Sequence, residues 1–451
     1  MRVRDFARFD GRRHGMVAVQ VTLALTALLS VAALSLDVGV LLAERRHAQA
    51  VADAAALSGA IDLYTNYQTY SGNDTKGTAK TSALTTAKDN GYSNDGTTST
   101  VTVNIPPTSG NFANKAGYVE VIVQYNQTRG FSRILGSGTI PVKARAVATG
   151  RWVVPKGGIL ALDPVASGAV TASGGGNINT NGGTVIIDSN NNGTNGALTV
   201  SGGGTITANE FDITGSYKGT VGSPGISTTP NTGVSPTPDP YAYLPVPSAP
   251  PAGSITKKSL SGGGFQYTLT PGSYGGSGQP KLPNFSSSDQ VIFEQSSYGY
   301  SGSYSGSGGI YYLTSGGLTT NGASLSMDSK TSGGIMLYNA GTGSSDGINI
   351  TGSSSGSVNL GGLTSGIYQG ILIFQARGAT ENVSITGNGS FSLEGTLYTP
   401  SGNLKIAGNG ASSIIGSNLV ADTITISGSG NIVVDYNGYT QPKARYIGLV
   451  E

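Results

Sequence analysis

Side chains able to do covalent or metal chemistry are scarce in this chain, and their positions narrow what it can do. The chain has two histidines, His14 and His47, and no cysteine. No histidine follows residue 47, so a Ser-His-Asp relay or a histidine-ligated metal is excluded from the remaining nine-tenths of the sequence. Thiolate chemistry and disulfides are excluded throughout. No G-x-x-x-x-G-K-[ST] segment is present, and glycine runs without a nearby lysine do not cradle nucleotide phosphates. Sugar-cleaving chemistry needs convergent carboxylates, or a carboxylate with a basic partner. The candidates beyond residue 155 are Glu381 and Glu394 near Arg377, with Asp422 and Asp435. The last two fall on different expected sides, so this set reads as solvated surface charge. Asp328-Ser-Lys-Thr-Ser332 resembles a D-x-S-x-S metal site, but Lys330 stands where the middle serine is needed. No cofactor and no enzymatic activity are expected. Binding chemistry has one candidate, the tyrosines Tyr298, Tyr300 and Tyr304 in a Gly/Ser-rich loop. Such a loop suits a glycan or protein surface, or is simply a solvent loop.

The element that positions everything else is Met16–Leu36, 21 residues without charge, proline or glycine. As a helix it is about 30 Å long, the thickness of a bilayer core. Gln20, Thr22, Thr26, Ser30 and Ser35 are its polar residues. The hydroxyls can bond back to helix carbonyls, which leaves Gln20 as the costly one. Arg2, Arg4, Arg8, Arg12 and Arg13 precede the span against Asp5 and Asp10. That excess places Met1–Gly15 in the cytoplasm and Asp37 onward outside it, as a single-pass inner-membrane protein. The alternative is a cleaved signal peptide. The apolar run is longer than the roughly 7–15 residues of a signal core, and helix-forming sequence continues past it.

Residues 37–64 keep apolar spacing at three and four and read as a helical stalk. Ala52, Ala56 and Ala60 form a small-residue ridge that packs on a partner helix or on the chain's own next domain. Residues 65–154 read as a small α+β unit. One helix ends at Asn90–Gly91, three alternating strands follow, and a short helical turn, FSRILG, precedes the last strand.

Arg12-Arg13-His14-Gly15, the apolar span, Asp37-Val38-Gly39 and Asp-Ala-Ala-Ala-Leu-Ser-Gly-Ala at Asp53–Ala60 together resemble the N-terminal segment of the Tad (Flp) pilus-assembly proteins of the TadE/TadG-like type. The later NGY, VEV and ARAVA elements resemble that family's pilin-like domain, so the resemblance covers roughly residues 10–150. It implies a pilus-assembly role, with other assembly or envelope proteins as partners through the N-terminal helix. In that family a glycine precedes the span, and processed members carry glutamate five residues beyond it. Gly15 matches, but the fifth residue is Gln20, which cannot supply the charge. A fixed anchor fits better than a cleaved filament subunit.

After Pro155 the texture changes. Val383-Ser-Ile385, Leu404-Lys-Ile406 and Ile424-Thr-Ile426 are strand triplets 21 and 20 residues apart, each followed by Gly-rich corners. A second series is Phe391–Leu393, Ser413–Ile415 and Ile432–Val434. A third is Thr396–Tyr398 and Asn418–Val420. Three strands per turn of about 20 residues is the signature of a parallel β-helix. Longer turns precede these. Gly334–Tyr338 and Gly370–Phe374 are 36 apart, and Val170–Asn181 aligns with Leu198–Asn209 at 28. Residues 223–253 hold nine prolines and interrupt the pattern as a linker or an excursion across its face. Residues 155–451 therefore read as an all-β parallel β-helix behind the α+β part.

Charge agrees with this division. Residues 1–154 carry 16 Lys and Arg against 10 Asp and Glu, the rest 10 against 14. The basic excess lies largely in the short inner tail, which argues against nucleic-acid binding. The expectation is a structural anchor. A surface adhesin or carbohydrate-binding protein is the first alternative, and a β-helix carbohydrate-active enzyme the second.

Overall fold

The structure, a computed structural model, describes residues 13–134, 136–296, 306–330, 332–408, 413–438 and 440–451. It divides into two compact units. One is Met1–Val153 with Arg445–Glu451, and the other is Val154–Ala444.

The first unit is built on α1 (Arg13–Thr65), 53 residues long. Its first half is apolar and exposed, and it is long and apolar enough to cross a membrane. Thr22, Thr26, Ser30 and Ser35 each donate to the carbonyl four residues back at 2.8 Å, so no hydroxyl there needs water. A one-turn helix α2 (Tyr67–Tyr70) and then α3 (Thr78–Asp89) follow. Asp74 starts α3 by accepting the amides of Ala79 and Lys80. The helix stops at Asn90 and Gly91, the latter at φ +98°. Strands β1 (Ser99–Asn104), β2 (Tyr118–Thr128) and β3 (Thr139–Val153) form an antiparallel sheet, with Val101 opposite Val123 and Val121 opposite Ala146. Alternation puts Val119, Val121, Val123, Ala144, Ala146 and Ala148 on one buried face, in a single core with α1 and α3.

One boundary expected from sequence is corrected. The residues after Ala444 do not belong to the second unit. Strand Ala444–Leu449 lies beside β3, and the Val147 amide donates to the Glu451 carbonyl at 2.8 Å. β3 would otherwise present an open edge, and this strand supplies its backbone partners.

Among the described residues the second unit is β-rich, with two sheets of 16 and 10 strands whose strand-to-strand ladders are parallel apart from the Ile255–Ser259/Phe265–Leu269 hairpin. The larger sheet contains two ladders, because Thr396–Gly408 and Asn418–Gly428 run through both. The registers match the repeats. Ile385 pairs Ile406 and Ile406 pairs Ile426. Leu337 pairs Ile373, Val170 pairs Leu198, and Ser413 pairs Ile432. Equivalent aliphatic side chains thus stack on one another in one continuous core.

The order of strands does not follow the chain. One ladder runs Asn231–Thr232, Glu210–Ile213, Thr184–Ile187, Ile159–Ala161, Asn418–Gly428, Thr396–Gly408, Ile371–Gln375, Ile335–Asn339, Gly309–Leu313, Gly272–Tyr274. The chain starts in the middle, builds outward to Thr232, crosses to the opposite end and builds back. The last strands then dock on the first: Leu419 on Ile159, Ile424 on Val170, Ile432 on Ile178.

The crossing is made by the proline-rich segment, pinned at successive levels of the stack. The Thr237 amide donates to Asp188 at 2.8 Å, and Tyr398 Oη donates to Asp239 at 2.6 Å. Arg377 donates to the Tyr241 carbonyl at 2.6 Å, Tyr368 Oη to the Pro245 carbonyl at 3.0 Å, and the Ser273 amide to the Pro251 carbonyl at 2.9 Å. Under it lies an edge-on aromatic row, Tyr338, Phe374 and Tyr398, at 5.2 and 5.0 Å, with Tyr241 of the strap 5.5 Å from Tyr398. This explains why IMLYN and ILIFQ are buried on both faces.

Candidate functional site

The residues singled out on the N-terminal helix fall into an open half and a packed half. Gly15 lies in the first turns of α1, and Gln20 is exposed among the apolar residues. Asp37 sits at the C-terminal end of the apolar run. Its carboxylate accepts the amides of Phe131 at 3.0 Å and Ser132 at 2.6 Å, at the start of the 3-10 turn Phe131–Ile134. Hydrogen bonding from Ser132, with the Phe131 amide adding to it, holds its pKa below the ordinary aspartate value. A Cβ at Gly130 would lie 2.4 Å from the Asp37 carboxylate, so any larger residue there would have to push that carboxylate aside. The clamp ties the foot of the β2–β3 connection to the helix. Phe131 and Ile134 then lie along a groove with Thr26, Leu29, Ala33 and Leu34, and both are exposed.

Gly39 is exposed, and a Cβ placed on it would meet nothing within 4 Å. Ala52, Ala56 and Ala60 are wholly buried in the unit's own core. At Gly150 on β3 a Cβ would lie 1.7 Å from the Ala60 carbonyl, so helix and strand are at backbone contact there. The ridge is filled by this chain and offers no open face.

Polar contacts fix the far side. Gln49 donates to the Arg145 carbonyl at 3.0 Å, and Tyr92 Oη donates to Glu44 at 2.6 Å. His47 lies 5.4 Å from the Tyr92 ring. Glu120 is fully buried. Burial pushes its pKa up, but donors from Ser109, Asn104, the Thr108 amide and Arg145 outweigh that and hold it at about 2. Arg145 also pairs with Glu451. The sequence pattern carried no signal for this cluster, since its members are 25 and 306 residues apart.

In the second unit several of the charged residues singled out from sequence have structural partners. Arg377 is engaged by the strap through the Tyr241 carbonyl and the Tyr398 hydroxyl. Asp435 accepts from Asn181, and Asp328 accepts the Gln295 amide at 2.9 Å. Asp188 is buried, and burial pushes its pKa up to about 6 against the Thr237 amide bond. Burial also raises Asp422, with Asp163 adding to it. Among the described residues no three His, Asp or Glu side chains group as a metal site. Tyr298, Tyr300 and Tyr304 lie outside the described residues.

No curated protein and no solved structure matches this chain. Residues 15–62, which span the exposed apolar half of α1, the Asp37 clamp and the buried alanine ridge, match the family model described as Tad, putative Flp pilus-assembly TadE/G-like.

Proposed function

We propose that this chain is a membrane-anchored, non-enzymatic component of a Tad/Flp-type pilus-assembly or envelope-attachment system. In this reading α1 crosses the inner membrane once with its N-terminus inside. The antiparallel unit is the pilin-like domain, and the three parallel ladders wind as a β-helix outside the membrane. The observation that carries it is the family match on residues 15–62, a segment that is open and apolar over one half and locked into a folded unit over the other. A rod of this kind leaves its membrane half free for other helices, while the stalk transmits position rigidly. The lack of histidine and cysteine beyond residue 47 supports a holding role over catalysis.

The test is fractionation with N-terminal sequencing. The chain should stay in carbonate-washed membranes, and its N-terminus should read from near Met1. A start at Met16 would instead mark a processed subunit. Photo-crosslinkers at Leu25 and Gly39 should capture other assembly proteins. Recovery of the intact chain in the soluble fraction would end this reading.

A further inference from the structure

We propose that the turn Phe131–Ile134 is a second membrane contact, its apolar side chains seated in the outer half of the bilayer beside the span. This rests on the reading that α1 crosses the membrane. Phe131 is 56% exposed and Ile134 89% exposed. Neither is needed to fill the core of its own unit, whose buried cluster excludes both.

Depth decides what covers them. Asp37 marks the outer end of the apolar run and grips the amides of Phe131 and Ser132, so the turn is fixed to the helix at that level. The groove it forms with α1 is lined by Thr26, Leu29, Ala33 and Leu34. At 1.5 Å per residue these lie roughly 5 to 16 Å inward from Asp37, along the span rather than beyond it. A side chain at that level meets acyl chains. Asp37 enters the interface with its charge satisfied by backbone donors, and the exposed Arg133 stands beside the apolar pair. Arginine next to inserted aromatic and aliphatic groups suits the headgroup layer, where its stem lies in apolar surroundings and its head in water. The turn would set the rotation and tilt of the anchor, which a single helix leaves free.

The chain has no cysteine, so one introduced thiol is unique. The full chain is reconstituted in phosphatidylcholine–phosphatidylglycerol vesicles with a nitroxide on Ile134→Cys, on Phe131→Cys, on Leu25→Cys as span reference, or on exposed Thr102→Cys. Collision rates with oxygen and with a water-soluble nickel chelate are then compared. The labels at 131 and 134 should favour oxygen several-fold, as at 25, while 102 favours nickel. A nickel-accessible 134 with a lipid-exposed 25 overturns the inference alone. A nickel-accessible 25 overturns the spanning helix and the inference with it. A 134 label reached by neither quencher is packed against a second copy, and lipid is then the wrong occupant.

Discussion

Ala144, Ala146 and Ala148 of β3 share a core with Ala52, Ala56 and Ala60 of α1, while in the other unit Ile385, Ile406 and Ile426 lie one upon the next. The first core is set by how closely two backbones approach, the second by how well long side chains stack. The units should therefore fail in opposite directions, one when atoms are added and the other when they are removed.

The largest effect should come from adding one methyl group to the first unit. Gly150→Ala puts a Cβ 1.7 Å from the Ala60 carbonyl, with backbone on both sides. We expect loss of that unit's cooperative unfolding transition, read by limited proteolysis and hydrogen exchange across β3. The converse change, Ile406→Ala, removes a buried side chain between Ile385 and Ile426 and should cost the second unit about 2–5 kcal/mol in denaturant unfolding. Gly150→Ala leaving β3 protected, or Ile406→Ala proving neutral, would remove the contrast.

Charge sharpens the comparison, because each unit buries a carboxylate of opposite character. Glu120 has a folded pKa near 2, below its ordinary 4.5, so its contribution is present above about pH 4.5 and fades as pH falls towards 2. Glu120→Gln should cost the first unit roughly 2–3 kcal/mol at neutral pH, a difference that shrinks on acidification. Asp188 is held near 6, above its ordinary 3.8. The folded state there binds the proton more tightly, so stability is greatest below about pH 4 and declines as pH rises through 6. Asp188→Asn keeps an acceptor for the Thr237 amide, and should stabilise the second unit by about 1–2 kcal/mol at pH 7.5 with a flatter pH profile. The smallest effect is at Gly39. Nothing surrounds it, so Gly39→Ala should raise helix stability by up to about 1 kcal/mol. Reduced capture of partners by that variant would mark Gly39 as a point of approach for another helix.

Much of the architecture was written locally. A 21-residue uncharged run, Asn90-Gly91 after a helical pattern, and Ile–x–Gly triplets at fixed offsets each carry their own physical reason, and the ladder registers follow those offsets residue by residue. Order was not legible. Parallel strands with like side chains offer near-identical edges, so nothing in Leu419 or Ile424 says that Ile159 and Val170, over 250 residues earlier, are their neighbours. Nor could the alanine ridge name its partner, because the deciding residue is Gly150, 90 positions away. The proline count marked a break, but its course depended on contacts with Asp188, Tyr398 and Tyr368, none of which carries a local signal of it. Asp37 was visible as part of a family resemblance, while its grip on the 131–134 turn shows only in the fold.

The late docking of residues 418–433 on residues 159–179 makes the second unit a keystone arch rather than a tower. A tower trimmed from its top is a shorter tower. Here, a stop codon before Asn418 would withdraw the centre and leave two raw edges on each of the three ladders at once, each a template for illegitimate pairing. Shortened versions for study are better cut elsewhere.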